Sequence, residues 1–346
     1  MEYTRKPRYH LFAHTASLLA FLACFSVLFS ACSGASPTKT TTSSTPAAKS
    51  GGQVQVMYAG SLENVMEKQI APAFKQSTGY TFEGEAKGSS ALANEIKGHL
   101  QRPDIFISAS PAVNKQLMGS ANGNYVSWYL NFARSEMVIG YNPHSRFASD
   151  FQAAAKGTKP WYQVLEESGL RLGRTDPILD PKGSATIELM ELAQNYYHQP
   201  GLTQKVLGAN ENTSQIFPEE ELVARLGAGQ LDAGFFYINE AKAAHIPFIT
   251  LPSQINLGDP SLAATYKAAT WTNPKTKIVS KGGPVVYTLT IPSTSQNQAG
   301  AQAFAAFLLS SQGQNILLSN GLLSTPFTVS GDANAVPQSL QKYTAH

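Results

Sequence analysis

Cysteine is nearly absent from this chain. Its 346 residues hold two, Cys24 and Cys32, both near the amino terminus. From residue 33 onward there is no thiol to form a disulfide, hold a thiolate-bound metal or act as a nucleophile. Charge is also sparse. Charged residues make up 14% of the chain and the formal net charge is +3. So even a balance argues against nucleic acid as a partner. Beyond Cys32 no apolar run approaches the length of a membrane span, and no repeat of fixed period is present. The composition is still 42% hydrophobic, enough for a conventional core.

What is present first is a leader. Arg5, Lys6 and Arg8 precede an apolar stretch over 18–29, which ends in Leu28-Phe29-Ser30-Ala31-Cys32. A basic start, a short apolar segment and small residues before a cysteine predict a lipoprotein signal peptide over 1–31. Cys32 would then be the lipidated first residue of the mature protein. Residues 33–52 read SGASPTKTTTSSTPAAKSGG. They have nothing large and apolar to bury, so they cannot offset their own ordering entropy. Residues 32–52 are therefore expected to be a flexible linker. Removing 31 of the 346 residues leaves 315 and takes away a net +2 (Arg5, Lys6 and Arg8 against Glu2), leaving +1. The expected location is extracytoplasmic, lipid-anchored to the cell membrane, with a soluble body.

The body alternates strand and helix patterns. Strands are predicted over 54–59, 80–85 and 104–108, with helices over 61–76 and 91–100 between them. That order predicts a doubly wound, mostly parallel sheet. A long strand is expected over 132–141. A second set follows, with strands over 170–173, 233–237 and 284–291. Its helices are expected over 184–197, 219–228, 239–244 and 298–318. Two such sets joined by a long strand suggest a hinged clamp. Ligands in open α/β sheets sit where strands end and helices begin.

Five turns stand out. Gly60-Ser61 and Gly88-Ser89 each place a glycine and a hydroxyl ahead of a helix, as an anion site requires, although serine capping explains either one alone. Asp180 sits in Asp-Pro-Lys-Gly before a helix, where it also serves as a turn former. Glu219, Glu220 and Glu221 open another helix, as the dipole favours. Tyr237 ends a strand, its hydroxyl at the rim. The histidines show no paired spacing for zinc, and Ser61 has no His and acid partners in matching context. Tyr196-Tyr197 ends a helix and is read as packing.

The quoted turns lie within longer runs: AGSL at Ala59, EAKGSS at Glu85, PDIFISAS at Pro103, FARSEMVIGYNPHSRF at Phe132, GRTDPILDPKG at Gly173, EEEL at Glu219, GQLDAGFFY at Gly229, LPSQINL at Leu251 and VVYTLTIP at Val285. In these runs the body, from about Val54 to Phe327, resembles the tungstate- and molybdate-binding lipoproteins of ABC importers. The resemblance implies a two-lobe periplasmic-binding-protein type II fold with hinge crossovers near Arg134 and Pro284. Lobe 1 would be 53–135 plus 284–335, and lobe 2 136–283. It implies that Ser61, Ser89 and Tyr237 donate to oxyanion oxygens, and that Asp180 and Glu219 are carboxylates at the metal centre. The register leaves Glu219 and Glu221 both open.

Three departures are visible. Gly183 is followed by Ser184-Ala185 instead of Tyr-Arg, the stretch from Tyr197 to Glu219 is short, and Ser110 replaces an acid. Two carboxylates beside a dianion repel it unless they join the hexavalent metal as hard oxygen ligands. Sulfate cannot expand its shell in this way. The implied function is capture of tungstate or molybdate, with no cofactor and no catalysis. The implied partners are a permease and its ATPase, and the implied state is monomeric. The alternatives are another anion (sulfate or phosphate), ferric iron, or a sensory lipoprotein. An exported enzyme lacks a nucleophile constellation.

Overall fold

Residues 51–344 are described here in a computed structural model of the chain. The expected signal peptide, Cys32 and the expected linker up to residue 50 lie outside the described residues. In chain order the strands are β1 (Gln53–Ala59), β2 (Thr81–Lys87), β3 (Ile105–Ser108) and β4 (Trp128–Arg134). They continue with β5 (Met137–Tyr141), β6 (Leu172–Gly173), β7 (Ala233–Tyr237) and β8 (Phe248–Thr250). The last are β9 (Thr270–Thr272), β10 (Val279–Lys281), β11 (Val286–Thr290) and β12 (Thr328–Gly331). One sheet runs β12-β4-β11-β3-β1-β2, a second runs β6-β7-β5-β8, and β9 and β10 form a separate ribbon.

The two-lobe α/β class holds, but the expectation of mostly parallel sheets is corrected. β1 pairs in parallel with β2 and β3, whereas β11 and β12 join the same sheet antiparallel. In the second sheet only β6 and β7 are parallel. Alternation of strand and helix along a chain tells which residues extend. It does not give the direction of a strand delivered from the other lobe.

The single strand expected over 132–141 is two strands in two sheets, with the crossing at Ser135 and Glu136. The chain returns to the first sheet at Val285. The two crossings lie side by side. Ser135 N donates to the Val285 carbonyl at 3.0 Å, and Arg134 pairs with Val286. Arg134 Nη1 donates to the Gly258 carbonyl at 2.6 Å. The helix expected over 298–318 is likewise two, Gln298–Leu309 and Ser311–Ser319. Ser310 separates them with an extended backbone, and its Oγ caps the second by accepting from Gly313 N at 3.2 Å. At the linker's end, Gly51 N donates to Gly79 O and Gly52 O accepts from Thr81 N, each at 3.1 Å. These two residues are held against the first lobe, contrary to the expectation of a flexible linker up to residue 52.

β1 leads to the site. Gln53 and Gln55 are exposed while Val54, Val56 and Tyr58 are buried, the alternation of a strand with one covered face. Toward its carboxyl end Met57 and Ala59 are buried as well. Met57 packs with Leu92, Ala93 and Ile96 of the helix Ser89–Lys97, on the opposite face from Val56 and Tyr58. The strand therefore becomes covered on both sides just before Gly60.

Candidate functional site

The turn after β1 is a short 3-10 stretch, Gly60–Leu62, with no side-chain cap. Ser61 is buried, and its Oγ accepts a hydrogen bond from the Tyr287 hydroxyl at 2.9 Å. Its carbonyl accepts from Asn239 Nδ2 at 2.8 Å, and Asn239 Oδ1 accepts from Ser135 Oγ at 2.7 Å. Ser61 is thus gripped by β11 and by the helix Ile238–Ala243 that follows β7. Ser89 opens the helix Ser89–Lys97 but does not cap it either. Its Oγ accepts from Ala109 N at 3.1 Å. Simple capping does not account for either serine. In both, a protein donor occupies the oxygen and the hydroxyl proton remains to be donated.

Asp180 does behave as a cap. It precedes Pro181 at the first position of the helix Pro181–Tyr196, and its Oδ1 accepts from Lys182 N at 2.6 Å. Gly183 is required here, because a Cβ would lie 2.6 Å from backbone atoms of Thr175, Asp176 and Pro177. Asp180 Oδ2 is buried with no hydrogen-bond partner. Glu219 opens the helix Glu219–Gly227 and is buried. Both of its carboxylate oxygens lack a hydrogen-bond partner. Lys182 Nζ lies 3.2 Å from Glu219 Oε1 as an ion pair, without hydrogen-bond alignment. Glu221 points elsewhere: its carboxylate pairs with Arg225 at 2.6 Å and its side chain is half-exposed.

The two lobes meet at these residues. A Cβ on Gly60 would lie 2.9 Å from Glu219 Oε2. A Cβ on Gly88 would lie 2.6 Å from the Leu179 carbonyl and 3.0 Å from Asp180 Cβ. Ala91 N donates to that same Leu179 carbonyl at 3.0 Å. The two glycines let the serine turns of one lobe press against the carboxylates of the other. Tyr237, at the end of β7, is buried with its ring 6.1 Å from that of Tyr287. Of the five residues singled out in the sequence, Ser61, Asp180 and Glu219 line grooves at the lobe boundary, while Ser89 and Tyr237 are buried and line neither groove.

The electrostatics follow from burial. It pushes the Asp180 carboxyl well above the usual range, and the charge of Glu219 adds to this. Burial also raises Tyr237, with Tyr287, Asp180 and Glu219 contributing. Glu240 is raised by burial against the opposing charge of Lys182. Burial works against the Lys182 ammonium, but Glu240, Glu219 and Asp180 outweigh it and hold its pKa above the ordinary value.

Residues 54–323 match the family of bacterial extracellular solute-binding proteins. The chain belongs to that family. An uncharacterized solute-binding protein of Petrotoga mobilis is 34% identical over 298 residues, 84% of this chain and 90% of that protein. The molybdate/tungstate-binding protein WtpA of Pyrococcus abyssi is 29% identical over 289 residues, 77% of this chain and 82% of that protein. Among solved structures, the periplasmic molybdate-binding protein of Azotobacter vinelandii superposes with a TM-score of 0.55 at 16% identity, covering 79% of this chain and 99% of that one. The last likeness concerns the fold.

Several residues of this solute-binding protein's cleft carried no signal in the sequence. Lys182 is fully buried, with Nζ 2.6 Å from Glu240 Oε1. Glu240 Oε2 accepts from Tyr237 N at 2.7 Å. The fully buried Arg174 holds the segment that leads to Glu219. Its Nη1 and Nη2 donate to the carbonyls of Asn210 and Ala209, each at 2.9 Å, and burial pushes its guanidinium down to about 10. Arg174 and Lys182 both lay inside the quoted run GRTDPILDPKG, where their burial could not be read from the neighbouring residues. Glu219 forms the wall between two grooves of about 320 and about 250 Å3, one reaching Ser61 and the other Asp180. Among the described residues no helix is long and apolar enough to cross a membrane.

Proposed function

We propose that this solute-binding protein captures tungstate or molybdate in the cleft and delivers it to an ABC permease and its ATPase. Lipidated Cys32 would tether it to the membrane. One observation carries the reading. Three buried carboxylate oxygens, Asp180 Oδ2 and both oxygens of Glu219, find no donor beyond the proton that the raised Asp180 carboxyl can share with Glu219. Ser61 lines a groove with Glu219, and Ser89 follows Gly88, which abuts Asp180. Buried carboxylates without donors are costly, and they repel an ordinary dianion. A hexavalent metal that accepts extra hard oxygen ligands removes both difficulties. Ser61, Ser89 and Tyr237 would donate to its oxo oxygens while Asp180 and Glu219 reach the metal. The name of the Pyrococcus abyssi relative supports the same ligand. Closure would assemble ligands from both lobes around the anion, and opening at the permease would release it.

Calorimetry with tungstate, molybdate, sulfate, phosphate and ferric ion tests the reading. Tight binding of tungstate or molybdate with weak binding of sulfate is the expected result. Equal or tighter binding of sulfate, or selective binding of ferric ion, refutes it.

A further inference from the structure

We propose that Lys182 contacts the bound oxyanion and supplies the positive charge that lets a carboxylate-lined cleft accept a dianion. This rests on the oxyanion reading above. Lys182 occupies an unusual place. Its side chain has no solvent exposure, and it sits in the first turn of the helix Pro181–Tyr196, where the helix dipole disfavours a cation. A buried ammonium persists only when paired. Glu240 Oε1, at 2.6 Å, meets that need with one hydrogen bond.

An ammonium has three protons to donate. One is taken by Glu240, and none is aligned on Glu219 despite the 3.2 Å separation. The groups facing Nζ are Glu219, Glu240, the rings of Phe236 and Tyr237 at 5.8 and 5.6 Å, and the charge of Asp180. Its unused donors therefore lie among the residues that line the oxyanion site. The charge balance points the same way. Asp180, Glu219 and Glu240 bring three carboxyl groups, and among the described residues Lys182 is the one cation paired with any of them. Without it, an entering dianion meets hydroxyl donors and carboxyl groups but no positive charge paired with those carboxyls. With it, one donor bonds an oxo oxygen while the same charge offsets the repulsion between Glu219 and the anion.

The test compares wild type, K182M and K182M/E240Q by calorimetry with sodium tungstate, after a near-ultraviolet circular dichroism check of the fold. K182M should bind tungstate on the order of 30-fold or more weakly, as for loss of one partner in a buried charge pair. The double variant separates contact with the ligand from mere neutralisation of Glu240, because it removes the orphan charge at Glu240, while Glu219 loses its partner equally in both variants. If Lys182 acts on the ligand, K182M/E240Q stays as weak as K182M. Recovery of wild-type affinity in the double variant, or unchanged affinity in K182M, overturns the proposal while wild-type binding leaves the oxyanion reading standing. Wild type that takes up neither tungstate nor molybdate overturns both. Should K182M fail to fold, the double variant carries the comparison with wild type.

Discussion

The Tyr287 hydroxyl donates to Ser61 Oγ at 2.9 Å, joining residues 226 positions apart in the chain. This bond ties the serine turn of one lobe to β11 and fixes the position of the Ser61 hydroxyl. Tyr287→Phe keeps the ring and removes the bond. Oxyanion binding should weaken about fivefold, the worth of one hydrogen bond at ~1 kcal/mol, with the fold intact by circular dichroism. Wild-type affinity in this variant would show that Ser61 is not oriented through Tyr287.

Asp180 and Glu219 give opposite signs under two accounts. As repelling charges, their removal should tighten binding of a dianion. As metal ligands, their removal should weaken it. We expect Asp180→Ala and Glu219→Ala each to lose on the order of 100-fold in tungstate affinity and to lose the preference over sulfate. Glu221→Ala, which removes only the half-exposed pair with Arg225, should stay within about twofold of wild type. Tighter binding in Asp180→Ala or Glu219→Ala would sink the ligand assignment. Loss in Glu221→Ala alone would move the site by two residues.

Gly88 lets the two lobes approach closely at Leu179 and Asp180. A methyl group there would lie 2.6 Å from the Leu179 carbonyl of the other lobe, and a backbone atom cannot swing aside. Gly88→Ala should therefore penalise the closed form by about 1–3 kcal/mol and lower affinity in proportion. Small-angle scattering with saturating tungstate should show a larger radius of gyration than wild type. Identical affinity and radius would show that the lobes need not approach this closely.

Glu188, buried in the helix Pro181–Tyr196, accepts from Ser280 Oγ at 2.6 Å. Burial pushes its carboxyl up to about 7 from an ordinary 4.5, and the Ser280 bond opposes this only in part. The folded protein holds this proton up to about pH 7, and the unfolded chain releases it near 4.5. The contribution is fully present below pH 4.5 and is lost as pH rises to about 7, a change of ~3 kcal/mol. Glu188→Gln should flatten this part of the pH dependence in urea unfolding. A slope equal to that of wild type between pH 4.5 and 7 would count against it.

Cys32 lies outside the described residues, and its expected role rests on the leader alone. Cys32→Ala should leave the protein as an uncleaved precursor or release it from the membrane fraction. Lipid labelling that persists in this variant would end the anchor hypothesis.

The sequence by itself determined what neighbouring residues settle among themselves. Alternation in 54–59 marked β1, Gly60-Ser61 and Gly88-Ser89 marked the serine turns, and Asp180-Pro181 marked a turn before a helix expected from 184, which begins at Pro181. Such signals work because strand period, turn residues and caps act within a few positions. The resemblance added which turns would share a ligand. Only the tertiary structure decided the rest. The run over 132–141 divides between two sheets because β4 pairs with β11 and β12 while β5 pairs with β7 and β8. Glu219 and Glu221 look alike in sequence, yet one is buried beside Lys182 and the other meets Arg225 near the surface. Lys182 reads as an ordinary surface lysine until Glu240, 58 residues on, closes over it. Burial and pairing of a charge depend on groups brought together from distant parts of the chain, and no local pattern records them.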